Sequence, residues 1–160
     1  MNQELLKEIL TYRDGNLYWI SSRKGGTAIA GSLAGCKNSG GYWHTRVNGK
    51  RYANHRLIFL MHHGYLPDFI DHIDGNRSNN RIENLRAASK QQNNCNARIR
   101  IDSTSGVKGV NWHKKTGKWT VRVQVNKTRK CFGLFDDLEL AQLVAVEARA
   151  KYHEEFAKHA

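Results

Sequence analysis

The spacing of apolar residues changes several times along the chain, and each change predicts a new element. Residues 4–12 have the spacing of a short amphipathic helix, whereas residues 15–20 alternate as a strand does. Residues 21–41 are rich in glycine and serine, which is typical of a loop. Two alternating runs flank Asn48-Gly49, so we predict a β-hairpin over 42–53.

The middle of the chain predicts a helix followed by a strand, a loop, a second strand and a second helix. We place these elements at 54–64, 69–73, 85–89 and 90–99. Asn54 is the expected N-cap of the first helix. The spacings Asn80-x-x-Glu83 and Ser89-x-x-Gln92 resemble capping boxes, which predict a short helical turn in the loop and the start of the second helix.

Beyond a polar segment at 101–106, the pattern predicts three strands and a long helix. The strands are placed at 107–112, 118–125 and 130–135. Asp136-x-x-Glu139 resembles a cap for the helix. One face of that helix is apolar and consists of Leu138, Ala141, Ala145, Ala148, Tyr152 and Phe156. The predicted fold class is therefore α+β.

Composition places the chain among globular proteins of a reducing compartment. Of its 160 residues, 39% are apolar and 25% are charged, which excludes a wholly disordered chain. No apolar run approaches the roughly 18 residues that cross a bilayer, and the N-terminus lacks the apolar region of a signal peptide. Three separated cysteines, with no C-x-x-C pair, argue against a disulfide framework or a structural zinc site. We expect a cytoplasmic protein that is not secreted and has no membrane partner.

The net charge is +12, from 26 Lys and Arg against 14 Asp and Glu, and it is unevenly distributed. Residues 98–131 hold ten basic side chains and a single acidic one, Asp102, so this segment contributes most of the excess. A protein this basic usually binds a polyanion. A solvated lysine-rich surface is the alternative. A membrane surface is not supported, because no basic amphipathic helix is present.

Acid, base and amide groups are concentrated around Asp71-His72, and seven asparagines follow before residue 97. Asparagine forms helices poorly, but its amide oxygen is a ligand for hard cations. A calcium-binding loop starting at Asp71 would need an oxygen ligand at Ile73 and its glycine one residue after Gly75, so that alternative fails. Asx turns account for residues 74–76. They do not explain why His72 stands beside Asp71.

This part of the chain resembles the HNH endonucleases, in the phage and intron-associated homing branch where asparagine replaces the last histidine of the motif. The resemblance rests on the sequences HR (55–56), DHIDGNRSNNRIENL (71–85) and KQQNNCNA (90–97), and it covers about residues 10–97. It implies a ββα-metal fold that holds one divalent cation, Mg²⁺ in the first place and Mn²⁺ as the alternative. It also implies individual roles: Asp71 and Asn93 as metal ligands, His72 as general base, and Asn84 in the loop, holding the base or the backbone.

Residue chemistry agrees with these roles. Neighbours in a strand point to opposite faces, so Asp71 can hold a metal ion while His72 approaches the scissile phosphate, provided that the strand bends there. Carboxylate and amide oxygens suit a hard cation, and a neutral histidine can accept a proton from the attacking water. Asn94 and Asn96 remain alternatives to Asn93 as the amide ligand. The resemblance implies products with a 5′-phosphate and a 3′-hydroxyl.

The basic C-terminal segment resembles the APETALA/ERF-type DNA-binding domain from about Ser103 to Tyr152. The markers of this resemblance are the sequences GV (109–110), GKW (117–119) and GLF (133–135), followed by the helix AQLVAVEARAKY (141–152). The resemblance implies three antiparallel strands backed by one helix, with the sheet lying in the major groove of DNA.

Alternation along the second of these strands separates an apolar face from a polar face. The apolar residues, expected against the helix, are Trp119, Val121, Val123 and Val125; the polar ones are Thr120, Arg122, Gln124 and Asn126. Arg122 and Gln124 are the best candidates to read bases, since arginine recognises guanine and glutamine recognises adenine. The other DNA-binding candidates are positions that match the resemblance or suit phosphate contacts: Lys108, Asn111, His113, Lys114, Lys115, Lys118 and Arg129.

Together these features predict a two-part DNA nuclease of the homing, phage-like type, whose partner is double-stranded DNA. An HNH nuclease domain with N-terminal strands is expected at 1–97, a linker at 98–102 and the DNA-binding domain at 103–160. We expect a monomer that takes no small-molecule substrate and acts in a host cytoplasm. The alternative is a sequence-specific DNA-binding regulator whose HNH module is inactive. An RNA-binding protein is less favoured, because the signature of an RNA-binding module is not visible.

Overall fold

The computed structural model describes residues 2–22, 28–96, 99, 102–125 and 128–153. Contacts divide the chain into two compact units, Met1–Ser89 and Lys90–Ala160. Each unit combines helices with antiparallel strands, which confirms the predicted α+β class. Within the described ranges, no helix is long and apolar enough to cross a membrane. The predicted linker at 98–102 lies inside the second unit, and the domain limits stay a prediction.

Within its described residues, the first unit contains two helices and three small antiparallel sheets. The helices are α1 (Gln3–Ile9) and α2 (Asn54–His63), and a 3₁₀ turn covers Ile82–Asn84. One sheet pairs β1 (Leu10–Arg13) with β2 (Asn16–Trp19). The second contains β3 (Cys36–Lys37), β4 (Trp43–Val47) and β5 (Lys50–Ala53) in that order, and the third pairs β6 (Phe69–His72) with β7 (Leu85–Ala88).

The N-terminal helix is shorter than predicted. Residues 10–12 belong to β1 instead, because the turn at Asp14-Gly15 folds the chain back and pairs Leu10 with Trp19. The turn residues have φ of 46° and 83°, the positive values that a two-residue hairpin turn requires. The pairing buries Leu10 and Trp19 in the core, and this burial outweighs the helical spacing of the segment.

The predicted hairpin over 42–53 is confirmed. β4 and β5 pair along their length, and the connecting Asn48 and Gly49 have φ of 50° and 76°. Positive φ at both positions is the signature of a type I′ turn, which matches the twist of the two strands. The predicted loop before the hairpin also contributes the two-residue strand β3.

The start of α2 differs from its prediction. Ala53 is the N-cap residue and its side chain makes no capping hydrogen bond, whereas the Asn54 side chain turns inward. The Asn54 amide accepts from Thr45 Oγ1 at 2.8 Å and donates to the Ala34 carbonyl oxygen at 3.1 Å. A buried amide needs such partners, so Asn54 ties α2 to the adjoining sheet instead of capping the helix. Gly64 ends the helix with φ of 76°.

One hydrophobic core holds the first unit together. Leu6 of α1, Leu17 of β2 and Ile58 of α2 are fully buried, and Ile70 and Leu85 belong to the same cluster. Burying an aliphatic side chain of this size stabilises a fold by about 1.5–3 kcal/mol. Because Ile70 lies in β6 and Leu85 lies in β7, the core anchors both strands that carry the polar residues of interest.

Within its described residues, the second unit contains a three-stranded sheet with one long helix packed on it. Its elements are α3 (Lys90–Cys95), β8 (Val110–His113), β9 (Lys118–Val125), β10 (Thr128–Phe135) and α4 (Leu138–His153). The strands are antiparallel in the order β10-β9-β8. Ala141 and Ala145 of α4 are fully buried against Val121 of β9, since small side chains let the helix approach the sheet. The three predicted strands and the long helix are confirmed; Phe156 lies outside the described residues.

The cap of α4 lies one residue later than predicted. Leu138 is the first helical residue, so Asp137 is in the capping position, and its Oδ2 accepts the N–H of Leu140 at 2.9 Å. Asp136 instead forms an exposed ion pair with Lys118, with Nζ and Oδ2 3.0 Å apart.

Candidate functional site

Asp71 and His72 lie side by side at the end of β6, and both are buried, with 4% and 6% of their surface exposed. In the antiparallel register Asp71 stands opposite Arg86, and His72 stands opposite Leu85. The Arg86 guanidinium donates to Asp71 Oδ2 from Nε and from Nη2, each at 2.9 Å. A buried carboxylate needs such compensation, so the residue predicted as a metal ligand is held by a cross-strand ion pair.

The ring of His72 is held by an asparagine that the sequence analysis assigned elsewhere. Nε2 of His72 lies 3.0 Å from Oδ1 of Asn80, which is itself only 3% exposed. The prediction of Asn80 as a helix cap is wrong, because the 3₁₀ turn begins after Arg81 and has no side-chain cap. A buried imidazole nitrogen needs a hydrogen-bond partner more than a short exposed turn needs a cap.

Asn84 holds the backbone of the loop that follows β6. Its Nδ2 donates to Asp74 Oδ1 at 3.0 Å and to the Asn79 carbonyl oxygen at 2.8 Å, and its Oδ1 accepts the Asp74 N–H at 3.0 Å. The sequence analysis left two roles open for Asn84, and these contacts are those of the residue that fixes the backbone.

Asp74 is the centre of this loop. Its carboxylate accepts the N–H of Asn76 and the side-chain amide of Asn79, each at 2.7 Å. Burial alone would raise the pKa of Asp74, but hydrogen bonds from Asn79, Asn76 and Asn84 outweigh it and hold the pKa below its ordinary value. The Asx turns expected at 74–76 are therefore present, and they rigidify the segment between His72 and Asn80.

Two aromatic side chains pack against His72. The His55 ring makes an edge contact with the His72 ring at 5.1 Å between centroids, and the Tyr42 ring lies 6.1 Å away. His55 Nδ1 is buried, and it has no hydrogen-bond partner among the residues that the structure describes. Burial, followed by the charges of His72 and Arg56, lowers the pKa of His55 to about 3, so its ring is neutral near pH 7.

The sequence analysis gave Tyr42 no role in the site and used His55 only as part of the HR sequence at 55–56. Tyr42 precedes β4, His55 lies in α2 and His72 lies in β6, and no local spacing shows a contact between such separate segments.

The loop after His72 is also anchored to the turn before β4. Ser78 Oγ donates to the Gly41 carbonyl oxygen at 2.9 Å, and the Arg77 guanidinium donates to the Gly40 carbonyl oxygen at 3.3 Å. The same guanidinium lies 5.1 Å from the centre of the Tyr42 ring. These contacts fix the distance between the Tyr42 ring and the loop that follows His72.

Asn93, the second predicted metal ligand, lies on α3 in the second unit and is half-buried. Of the two alternatives, Asn94 on the same helix is exposed and Asn96 is 5% exposed. Across the part of the chain that the structure describes, no three His, Cys, Asp or Glu side chains group as a metal site. The predicted ligands Asp71 and Asn93 offer a carboxylate and an amide oxygen, and hard oxygen ligands of this type suit Mg²⁺ or Mn²⁺.

In the second unit, strand register places the predicted base-reading residues on one face of the sheet. Arg122 stands opposite Cys131, and Gln124 stands opposite Arg129. On the other side of β9, Asn111 pairs with Thr120 and His113 pairs with Lys118. Since α4 packs on the face that carries Val121 and Val123, these polar side chains point away from the helix.

The lysines predicted to contact DNA differ in whether their ammonium groups already have a partner within the protein. Lys114 and Lys115 lie exposed in the β8–β9 turn. Lys118 is paired with Asp136, and the Lys108 ammonium donates to the Cys95 carbonyl oxygen at 2.7 Å. The turn lysines are therefore the best placed of this group to meet a phosphate.

Comparison with known proteins agrees with the arrangement around β6, the loop and β7. The profile of the HNH endonuclease family matches residues 52–95, which include the Asp71-His72 pair, Asn80 and Asn84. Protein 3.8 of Escherichia phage T7 is 34% identical over 111 residues, covering 68% of this chain and 91% of the relative. The chain belongs to the HNH endonuclease family.

A second relative carries a more specific name. The "SPbeta prophage-derived putative HNH homing endonuclease YosQ" of Bacillus subtilis (strain 168) is 34% identical over 71 residues, which cover 43% of this chain and 40% of the relative. No solved structure matches the chain. The resemblance of the second unit to an APETALA/ERF-type domain, and the asparagine in place of the last HNH histidine, stay predictions.

Proposed function

We propose that this HNH protein is a metal-dependent DNA endonuclease of the homing type, which hydrolyses a phosphodiester bond to leave a 5′-phosphate and a 3′-hydroxyl. The observation that carries the proposal is the buried, hydrogen-bonded His72 beside Asp71 at the end of β6, inside the segment that matches the HNH family. A histidine held in this way is suited to act as a general base, because a neutral imidazole has one ring nitrogen that can accept a proton.

In the proposed reaction, His72 takes a proton from the water that attacks phosphorus, and the bond from phosphorus to the 3′ oxygen breaks. Asp71 and Asn93 would hold Mg²⁺ or Mn²⁺, whose chemistry is to stabilise charge on the phosphate and the departing oxygen. Asn84 fixes the backbone between His72 and the second strand of the motif, so the base keeps one position during turnover.

Duplex DNA is the proposed substrate, and the second unit is proposed to hold it. The face formed by Asn111, His113, Arg122, Gln124 and Arg129 would read bases, while Lys114 and Lys115 would contact phosphates. A basic sheet face of this kind can enter the major groove, which admits a β element.

One observation favours the alternative of a DNA-binding regulator with an inactive HNH module. The Asp71 carboxylate, which a nuclease needs for its metal, is paired with Arg86 in the structure. In the nuclease, this guanidinium would have to share the carboxylate with the cation, or move from it.

Incubation with supercoiled plasmid separates the two functions. The nuclease converts the plasmid to nicked or linear DNA with Mg²⁺ or Mn²⁺ and leaves it supercoiled with EDTA. Sealing of nicked product by DNA ligase identifies the 5′-phosphate and 3′-hydroxyl ends. Binding without cleavage at any metal concentration would establish the regulator instead.

A metal titration of cleavage then identifies the amide ligand. Asn93→Ala should raise the Mg²⁺ concentration at half-maximal rate, whereas Asn94→Ala, on the same helix, should leave it unchanged. The reverse result would assign the role to Asn94.

A further inference from the structure

We propose that Asn80 is the positioning residue of the general base: it fixes the His72 ring as the tautomer with the proton on Nε2, so that Nδ1 carries the lone pair that receives the proton of the attacking water. The inference rests on the proposed function in naming His72 as the base. The contact between the two side chains stands on its own geometry.

The tautomer of His72 follows from which atoms of this contact can donate and which can accept. A neutral imidazole has one nitrogen that donates and one that accepts, and an amide oxygen only accepts. Because Asn80 Oδ1 faces His72 Nε2 at 3.0 Å, Nε2 must be the donor and Nδ1 the acceptor. Both residues are buried, at 3% and 6% exposure, so water competes little for the bond.

The other asparagine of the motif does not supply this contact. The Asn84 side chain makes hydrogen bonds with the Asp74 N–H, the Asp74 carboxylate and the Asn79 carbonyl oxygen. Two asparagines thus divide the work, with Asn84 fixing the loop backbone and Asn80 fixing the ring.

The backbone that follows Asn80 packs against the N-terminal hairpin. The Tyr12 hydroxyl on β1 accepts the Ile82 N–H at 3.1 Å. Gly15, at the tip of the hairpin, lies so close that a Cβ there would stand 2.9 Å from the Arg81 backbone nitrogen and 3.2 Å from the Asn80 carbonyl carbon. The β1–β2 hairpin therefore fixes the position of the backbone segment that carries the Asn80 side chain.

The His55 ring limits rotation of His72 from another side. Its edge contact at 5.1 Å is one that an imidazole ring swung away from this position would lose. With the hydrogen bond at Nε2 and the ring contact together, the position of Nδ1 is determined.

This arrangement also serves the charged state of the base. When Nδ1 accepts the proton of water, the ring becomes an imidazolium and Nε2 keeps its own proton. The hydrogen bond from Nε2 to Oδ1 then has a charged donor, and such bonds are stronger than neutral ones. Asn80 thus contributes most after the proton has moved, which accelerates the chemical step and leaves DNA affinity unaffected.

The decisive experiment reads the tautomer directly in the metal-free full chain. Two-dimensional ¹⁵N–¹H NMR of the imidazole rings distinguishes a protonated Nε2 from a protonated Nδ1. For His72 we expect the proton on Nε2 in the wild type and a mixture of tautomers in Asn80→Ala. The matched control is Asn79→Ala, which removes loop hydrogen bonds but none to His72, and should leave the wild-type tautomer.

A wild-type His72 with its proton on Nδ1 would overturn the proposal, because the Asn80 amide would then have to donate. This arm needs no substitution, so a variant that fails to fold does not weaken it. It also needs no cleavage, so an inactive wild type would refute the proposed function and leave the tautomer result standing.

Kinetics supply the second arm. Asn80→Ala should lower kcat for plasmid cleavage by at least about tenfold, less than the roughly 10²–10⁴-fold lost with the base itself, and leave KM unchanged. A rise in KM with unchanged kcat would mean that Asn80 serves DNA binding, and would overturn the proposal.

Discussion

The first unit buries the polar side chains Asp71, His72 and Asn80 and holds them with fixed partners, whereas the second unit leaves the predicted base-reading side chains of its sheet exposed. Asp71, His72 and Asn80 are 4%, 6% and 3% exposed and are joined to neighbours by hydrogen bonds or an ion pair. Arg122 and Gln124, on the open face of the second sheet, are exposed. The polar groups of the two candidate sites thus lie in opposite environments, buried in the first unit and hydrated in the second.

The difference follows from what each task requires. A group that moves a proton must be in one place when the substrate arrives, and burial provides this at a cost in desolvation that only good partners offset. A group that binds phosphate gains from counterion release and needs no single geometry, so it can remain hydrated. Substitutions in the first unit should therefore change rates and stability, and substitutions on the second sheet should change affinity.

The largest effect is expected at His72. His72→Ala should lower the cleavage rate by roughly 10²–10⁴-fold, because it removes the general base, and should leave duplex binding within a few-fold of wild type. His63→Ala, an exposed histidine at the end of α2, is the matched control and should cleave normally. Cleavage by His72→Ala at the wild-type rate would remove His72 from the mechanism.

The next effect is the dependence of stability on pH through His55. Burial lowers the pKa of His55 from 6.5 to about 3 in the folded chain. Above the unfolded value both states are neutral and His55 adds no pH dependence. As the pH falls below it, the unfolded chain takes up a proton that the folded chain refuses, so stability is lost until the folded pKa is reached.

At about pH 4.5 this loss amounts to about 2–3 kcal/mol. Urea unfolding at about pH 7.5 and pH 4.5 measures this loss in the free energy of unfolding. Between these two pH values, His55→Gln should lose about 2–3 kcal/mol less stability than the wild type. His63→Gln should lose as much as the wild type. An equal loss in the His55 variant would show that its ring titrates normally.

On the exposed sheet, Arg122→Ala should relax sequence preference. Removal of a bidentate contact to a base costs about 1–3 kcal/mol on a selected duplex and little on random DNA. Binding of the full chain in EDTA, on both duplexes, measures the difference. Lys114→Ala is the control and should weaken both alike. A uniform loss with Arg122→Ala would make this residue a phosphate contact.

A smaller effect separates two glycines in hairpin turns. Gly15 and Gly49 have φ of 83° and 76°, so alanine strains the backbone at both, by about 1–2 kcal/mol. Only at Gly15 would the new Cβ also meet another backbone, at Arg81. Gly15→Ala should therefore destabilise the chain more than Gly49→Ala in urea unfolding, and it should lower kcat as well. Equal effects would mean that the hairpin does not press on the segment after Asn80.

Local patterns were enough to predict the elements and much of the site. The Asn48-Gly49 turn, the strand at Asp71-His72 and the two faces of β9 follow from residue type and spacing over a few positions. Asn80 was misassigned because its capping spacing is local, whereas its partner lies eight residues away across a loop. Tyr42 and His55 reach His72 only through packing of separate elements.

The smallest effect concerns one exposed lysine. Lys115 lies in the β8–β9 turn, and Lys115→Ala should weaken binding to all sequences alike. One phosphate contact fewer reduces the slope of log K against log salt by about 0.9. Lys151→Ala, on α4 and so away from the open face, is the matched control and should keep the wild-type slope. Because Lys115 is hydrated before DNA arrives, its loss should leave the urea midpoint unchanged, in contrast to the buried residues of the first unit. If Lys115→Ala keeps the wild-type slope, the turn does not touch the DNA backbone, and the phosphates must be held by another part of the sheet.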